Sequence, residues 1–96
     1  MDLASADEEY RQYSVKETQR VIDITRSLKK YFPRTERPMI VANIGGFTMD
    51  ELLPTDQLVS YYERFADSLS LLEMDGTELI PQTMAPFPWH FGGQRY

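Results

Sequence analysis

The sequence predicts an α/β fold built from two parallel βα units, and three observations carry that prediction. Two short apolar runs, "MIVA" at 39–42 and "ELIPQT" at 78–83, have the length and composition of strands rather than helices. Each is preceded by a longer segment whose apolar residues recur at steps of three and four, the period of an amphipathic helix. The connections between the two runs are long enough for a right-handed parallel crossover.

In order along the chain, Ser5 stands three residues before Glu8, the spacing of a capping box, and predicts a helical turn over 6–11. Ser14 and Glu17 repeat that spacing. From there Val15, Thr18, Val21, Ile22, Thr25, Leu28 and Phe32 form one helix face, so a helix is expected over 15–32, ending before Pro33. The run "PMIVAN" is bounded by Pro38 and by the pair Gly45 and Gly46 and reads as a strand over 38–43. Being apolar on both faces, it suits a parallel sheet covered by helices. Thr55 is placed to cap a helix over 55–73, with Leu58, Val59, Tyr62, Phe65, Ala66, Leu69 and Leu72 as its buried stripe. On that phase Tyr62 belongs to the core and Tyr61 to the surface. Asp75 and Gly76 make a turn, and a strand follows over 77–83, in which Pro81 cannot donate to a ladder and marks an end or an edge. Residues 84–96, "MAPFPWHFGGQRY", are a loop rich in aromatics and glycine.

The composition sets bounds on function. With 96 residues, 42% hydrophobic and 26% charged, the chain is that of one small globular domain. Fifteen acidic against ten basic residues give a net charge of -5, a poor match to nucleic acid or anionic lipid. There is no cysteine, so disulfides, thiolate nucleophiles and cysteine-ligated metals are excluded. The acidic start "MDLASADEEY" has no secretory pattern and no run approaches the ~20 apolar residues of a membrane span; a cytoplasmic location is expected. Two strands alone leave edges and apolar faces open, which implies self-association through the sheet edges or further neighbours.

Alternation puts Met39, Val41 and Asn43 on one side of the first strand and Glu78, Ile80 and Gln82 on one side of the second. Each strand therefore finishes in an amide, Asn43 or Gln82, at the end where parallel α/β sheets bind ligands. Asn43 can equally start a turn, and Gln82 can satisfy a neighbouring backbone group. His90, the only histidine, is a candidate general base or a ring packed between Trp89 and Phe91. Glu78, early in its strand, suits a structural pairing better than catalysis if it lies inside a barrel. "NIGGF" lacks the third glycine of a dinucleotide loop and the Gly-Lys-Ser/Thr of a phosphate loop. Two amides and one histidine do not make a metal site, so no cofactor is expected from these residues.

Taken together, "DLAS", "YSVKETQRVIDITRSL", "MIVANIGG" and "ELIPQTMAPFPWHFGGQRY" resemble the xylose isomerase-like, or sugar phosphate isomerase/epimerase, superfamily of TIM barrels. The resemblance covers nearly the whole chain and is most specific from Gln82 to Gln94. A complete barrel needs ~250 residues, so the resemblance implies a little over a third of a (β/α)8 barrel. In that family the strand matching "IVANIGG" often ends in histidine, and the one matching "LIPQT" in a glutamate that binds a divalent metal. Asn43 and Gln82 stand at those positions, and neutral amides bind Mn²⁺, Mg²⁺ or Zn²⁺ far less well, so a metal is implied only for a complete family member. The resemblance implies a carbohydrate or sugar phosphate ligand, hydrogen-bonded by Asn43, Gln82, His90 and Gln94 and stacked on Trp89. Catalysis by this chain alone is not expected, because the general bases would lie on other strands. The other expectation is a non-catalytic carbohydrate-binding or self-associating module.

Overall fold

Residues 1–44, 46–48 and 51–83 are described by a computed structural model of the chain. They form a helix α1 (Glu8–Leu28), a 3-10 turn (Lys29–Tyr31), a strand β1 (Met39–Asn43), a second helix α2 (Thr55–Ser70) and a strand β2 (Glu78–Gln82). The two strands are parallel and in register, Met39 opposite Glu78 and Asn43 opposite Gln82, with no third strand among the described residues. The fold is thus α/β with two parallel βα units.

One continuous helix replaces the expected turn over 6–11 and helix over 15–32. Its cap is Asp7, whose carboxylate accepts from the Tyr10 N–H at 3.1 Å, and Glu8 and Glu9 in the first turn complement the helix dipole. Ser5 instead accepts from the Asp7 N–H at 3.2 Å, just ahead of the helix. Ser14 is no cap either. It is fully buried in mid-helix, donating to the Tyr10 carbonyl and accepting from the Asp2 N–H, both at 2.9 Å. A small hydroxyl at a core position lets the backbone of the N-terminal segment approach the helix closely, and that approach satisfies the hydroxyl without interrupting the helix.

Residues 2–4 are the keystone of the packing. Leu3 and Ala4 are buried with Phe65 of α2, and Val15, Ile44, Tyr61 and Leu69 close around them. The Asp2 side chain accepts from the Ala4 N–H at 2.8 Å, turning the segment back on itself. The fully buried Ser68 hydroxyl lies 2.7 Å from the Leu3 carbonyl, and Arg64 donates to the Ala4 carbonyl at 3.1 Å. Arg11 donates to the Ser68 oxygen at 2.8 Å and grips both oxygens of Glu8, each at 2.8 Å. The guanidinium and a second donor, Gln12, pull the Glu8 carboxyl down to about 2, and the Glu8 carboxylate raises Arg11.

These bonds set the rotation of α2. Tyr61, Arg64, Phe65 and Ser68 face the N-terminal segment, with the Arg64 guanidinium 4.5 Å from the Tyr61 ring centroid. Tyr61 is therefore the half-buried tyrosine and Tyr62, 45% exposed, is the surface one, the reverse of the expectation from apolar spacing. Val59 and Ala66 are exposed with it. Thr55 does not cap α2: the cap is Pro54, whose carbonyl accepts from the Leu58 N–H at 3.1 Å, so Thr55 is already inside the first turn. The helix ends at Ser70, short of 73, and a separate turn over 74–77 leads into β2. There Gly76 takes φ 77°, the left-handed value that glycine adopts without a side-chain penalty. Two α1 side chains hold this connection. Gln19 accepts from the Glu73 N–H at 2.9 Å and donates to its carbonyl at 3.2 Å, and Arg26 donates to the carbonyls of Asp75 and Glu73.

The helices cover one face of the sheet. Ile40, Ala42 and Leu79 on that face are half-buried, while Met39, Val41 and Ile80 on the other are exposed, Met39 and Val41 by 65% and 62%. The expectation of a strand buried on both sides holds for one side only among the described residues. The backbone is correspondingly open, with a radius of gyration of 15.1 Å against about 12.5 Å for a compact chain of this length.

Candidate functional site

The parallel register decides what the strand ends can do. Cross-strand partners in a ladder share a face, so Asn43 and Gln82, opposite one another in the last pair, project from the same exposed side of the sheet. The ladder extends one bond beyond them, the Ile44 N–H donating to the Gln82 carbonyl at 3.1 Å, which fixes both backbones at the mouth. Neither side-chain amide has a hydrogen-bond partner among the described residues. The pair presents two carbonyl acceptors and two NH₂ donors, an array suited to the alternating donors and acceptors of a polyhydroxylated ligand.

Asn43 also lines a cavity of about 350 Å³ beside β1, walled by Leu3, Thr18 and Val21 and floored by the strand. This recess went unseen in the sequence. It exists because the N-terminal segment folds back onto Ser14, and the signal available was the pair of hydroxyls Ser14 and Thr18, one turn apart on the apolar face of α1. A wider depression of about 590 Å³ lies along the seam of α1 and Leu71, among Gln12, Val15 and Gln19. It is remote from the strand ends, and the amides there are not part of it.

Glu78 shares the Gln82 face at the opposite end of β2, as the Cα partner of Met39, and has no ion-pair partner among the described residues. Trp89, His90 and Gln94 lie outside the described residues, as does the loop over 84–96. Among the described residues the structure therefore brings Asn43 and Gln82 together. Among the described residues no group of three or more His, Cys, Asp or Glu side chains is arranged to hold a metal ion, and no helix is long and apolar enough to cross a membrane. Among the described residues the one strongly shifted carboxyl, Glu8, is held down by Arg11 and Gln12 at the start of α1 and belongs to the packing rather than to the strand ends. Comparison with family models, with curated proteins and with solved structures finds no match to this chain.

Proposed function

We propose that the chain carries part of a carbohydrate site of the kind found in sugar isomerase and epimerase barrels, and binds a sugar or sugar phosphate without turning it over alone. The observation that supports this reading is the amide pair: Asn43 and Gln82 are opposite each other at the C-terminal ends of two parallel strands, exposed and without partners among the described residues. Amides exchange hydrogen bonds with hydroxyls but remain neutral near pH 7, so they orient a polyol and do not move its protons. A neighbouring oxyanion would be stabilised by their NH₂ groups, while proton abstraction requires a base contributed from elsewhere. The cytoplasm, where sugar phosphates are plentiful, is the location this reading assigns.

The test is a titration with free monosaccharides and their phosphates, with and without Mn²⁺, Mg²⁺ or Zn²⁺, followed by the fluorescence of Trp89, the only tryptophan. Saturable quenching that needs no metal and is lost in Asn43→Ala and in Gln82→Ala is expected. Turnover by the chain alone, abolished by Gln82→Ala or His90→Ala, would refute the non-catalytic part of the proposal.

A second reading, self-association, is favoured by the exposed face of Met39, Val41 and Ile80 and by the sheet's open edge.

A further inference from the structure

The two edges of the sheet differ. The Glu78 N–H bonds to the Pro38 carbonyl and the Ile44 N–H to the Gln82 carbonyl, so the even-numbered residues of both strands face the ladder. By alternation Pro81 lies on the outer edge of β2, where its missing N–H blocks further pairing. Met39, Val41 and Asn43 turn their N–H and C=O groups to the outer edge of β1, where no proline or charge interrupts them and no described residue bonds to them. The cavity of about 350 Å³ touches Ile40, Val41, Ala42 and Asn43 in succession. Consecutive strand residues point to opposite faces, so a cavity that touches four in a row lies along the strand's hydrogen-bonding edge. A second recess of about 290 Å³ continues the trough past Met39 to Thr25, Leu28 and Phe32. The trough is thus bounded by the free backbone of β1 and by the half of the α1 stripe that the core leaves exposed, Val21 and Leu28.

Charge along α1 says what fills it. Residues 1–9 carry Asp2, Asp7, Glu8 and Glu9 and no basic side chain, whereas residues 29–37 carry Lys29, Lys30, Arg34 and Arg37 against Glu36 alone. Thr18, the middle residue of α1, flanks the trough beside Val41, and the acidic and basic ends lie about 15 Å away on either side. Such a surface is complementary to itself turned through 180°: acid meets base at both ends, helix dipoles oppose, and two free strand edges meet in the middle.

We propose that the free edge of β1 and its trough form a two-fold interface between two copies of this chain, β1 pairing antiparallel with its mate about Val41 to give one four-stranded sheet. This deepens the self-association reading by naming its edge, its register and its electrostatic ends. Met39 of one copy then faces Asn43 of the other, and the two α1 helices run antiparallel across the same face.

The cysteine-free chain allows a direct test. Residues opposite each other in a hydrogen-bonded antiparallel pair are about 5.5 Å apart at Cα, within disulfide reach. Val41→Cys is expected to oxidise to a covalent dimer in high yield, while Ile80→Cys, on the same face but the blocked strand, stays monomeric on a non-reducing gel. By sedimentation the unmodified chain should be dimeric at about 100 μM, and Val41→Pro, which removes an outward N–H and spares the β1–β2 ladder, monomeric. Lys30→Glu should weaken the dimer about tenfold, with recovery on mixing with Glu9→Lys; this pair keeps the test informative should Val41→Pro unfold. A monomeric unmodified chain overturns self-association altogether. A dimer in which Val41→Cys fails to cross-link, or which the mixture fails to restore, overturns the edge proposal alone.

Discussion

Ser68 shows how much of this fold rests on single hydroxyls. Its oxygen is fully buried, 2.7 Å from the Leu3 carbonyl and 2.9 Å from the Arg64 carbonyl, and accepts from Arg11. Ser68→Ala leaves a buried carbonyl and a guanidinium N–H short of a partner, a loss of about 1–3 kcal/mol. Thermal melting should record it as a fall of several degrees, with Ser70→Ala, exposed two residues away, nearly silent. Glu8 adds a pH dependence whose sign is fixed. Its carboxyl lies at about 2 in the fold against an ordinary 4.5, so it favours the folded state above 4.5, and that contribution is lost as pH falls through about 2. Helicity measured across that interval should decline more in the native chain than in Glu8→Gln; equal declines would mean that the Arg11 fork does not persist in solution. Neither role was legible in the sequence, where Glu8 reads as a capping-box partner of Ser5. Ser14 and Ser68 look like helix-interior blemishes until the N-terminal segment is laid against them, a contact more than fifty residues long-range in the case of Ser68 and Leu3.

At the scale of elements, the sequence was most legible where local rules act alone. The strands fall within a residue of the expected 38–43 and 77–83, and the shared faces of Met39, Val41, Asn43 and Glu78, Ile80, Gln82 follow directly from a two-residue period. Helix rotation was legible only in part, because apolar spacing on α2 fits either Tyr61 or Tyr62. The choice is made by Arg64 and Ser68, polar residues that reach the Leu3 and Ala4 carbonyls. Cap positions misled for a related reason: Ser5 and Ser14 have better partners in the folded N-terminal segment than a helix end would supply. The α2–β2 connection is held by Gln19 and Arg26 from α1, so Gln19→Ala should open it locally. Faster amide exchange at Glu73, with little change at Ile40 in the sheet, is the expected signature; uniform acceleration would point instead to global destabilisation. Gly76→Ala should cost about 1 kcal/mol from the left-handed backbone alone, since open space surrounds the site.

At the scale of the molecule, the core among the described residues is carried by few side chains, and one face of the sheet exposes apolar Met39, Val41 and Ile80 beside polar groups. That openness is the common root of both functional readings, because the exposed face that bears Met39, Val41 and Ile80 is also the face on which Asn43 and Gln82 stand. The chemistry of the strand ends was legible as two amides at matching alternation positions; their being opposite one another was not, since register depends on how the α2 crossover packs and no local pattern encodes it. Sugar binding by the amide pair is tested most directly by a ¹⁵N correlation spectrum of the side-chain amides of Asn43 and Gln82 during titration with a monosaccharide in metal-free buffer. If the two amides hold one sugar, both NH₂ pairs shift together and saturate at one concentration, and Gln82→Ala abolishes the Asn43 response. Silent amides, or an Asn43 shift indifferent to Gln82→Ala, would contradict it.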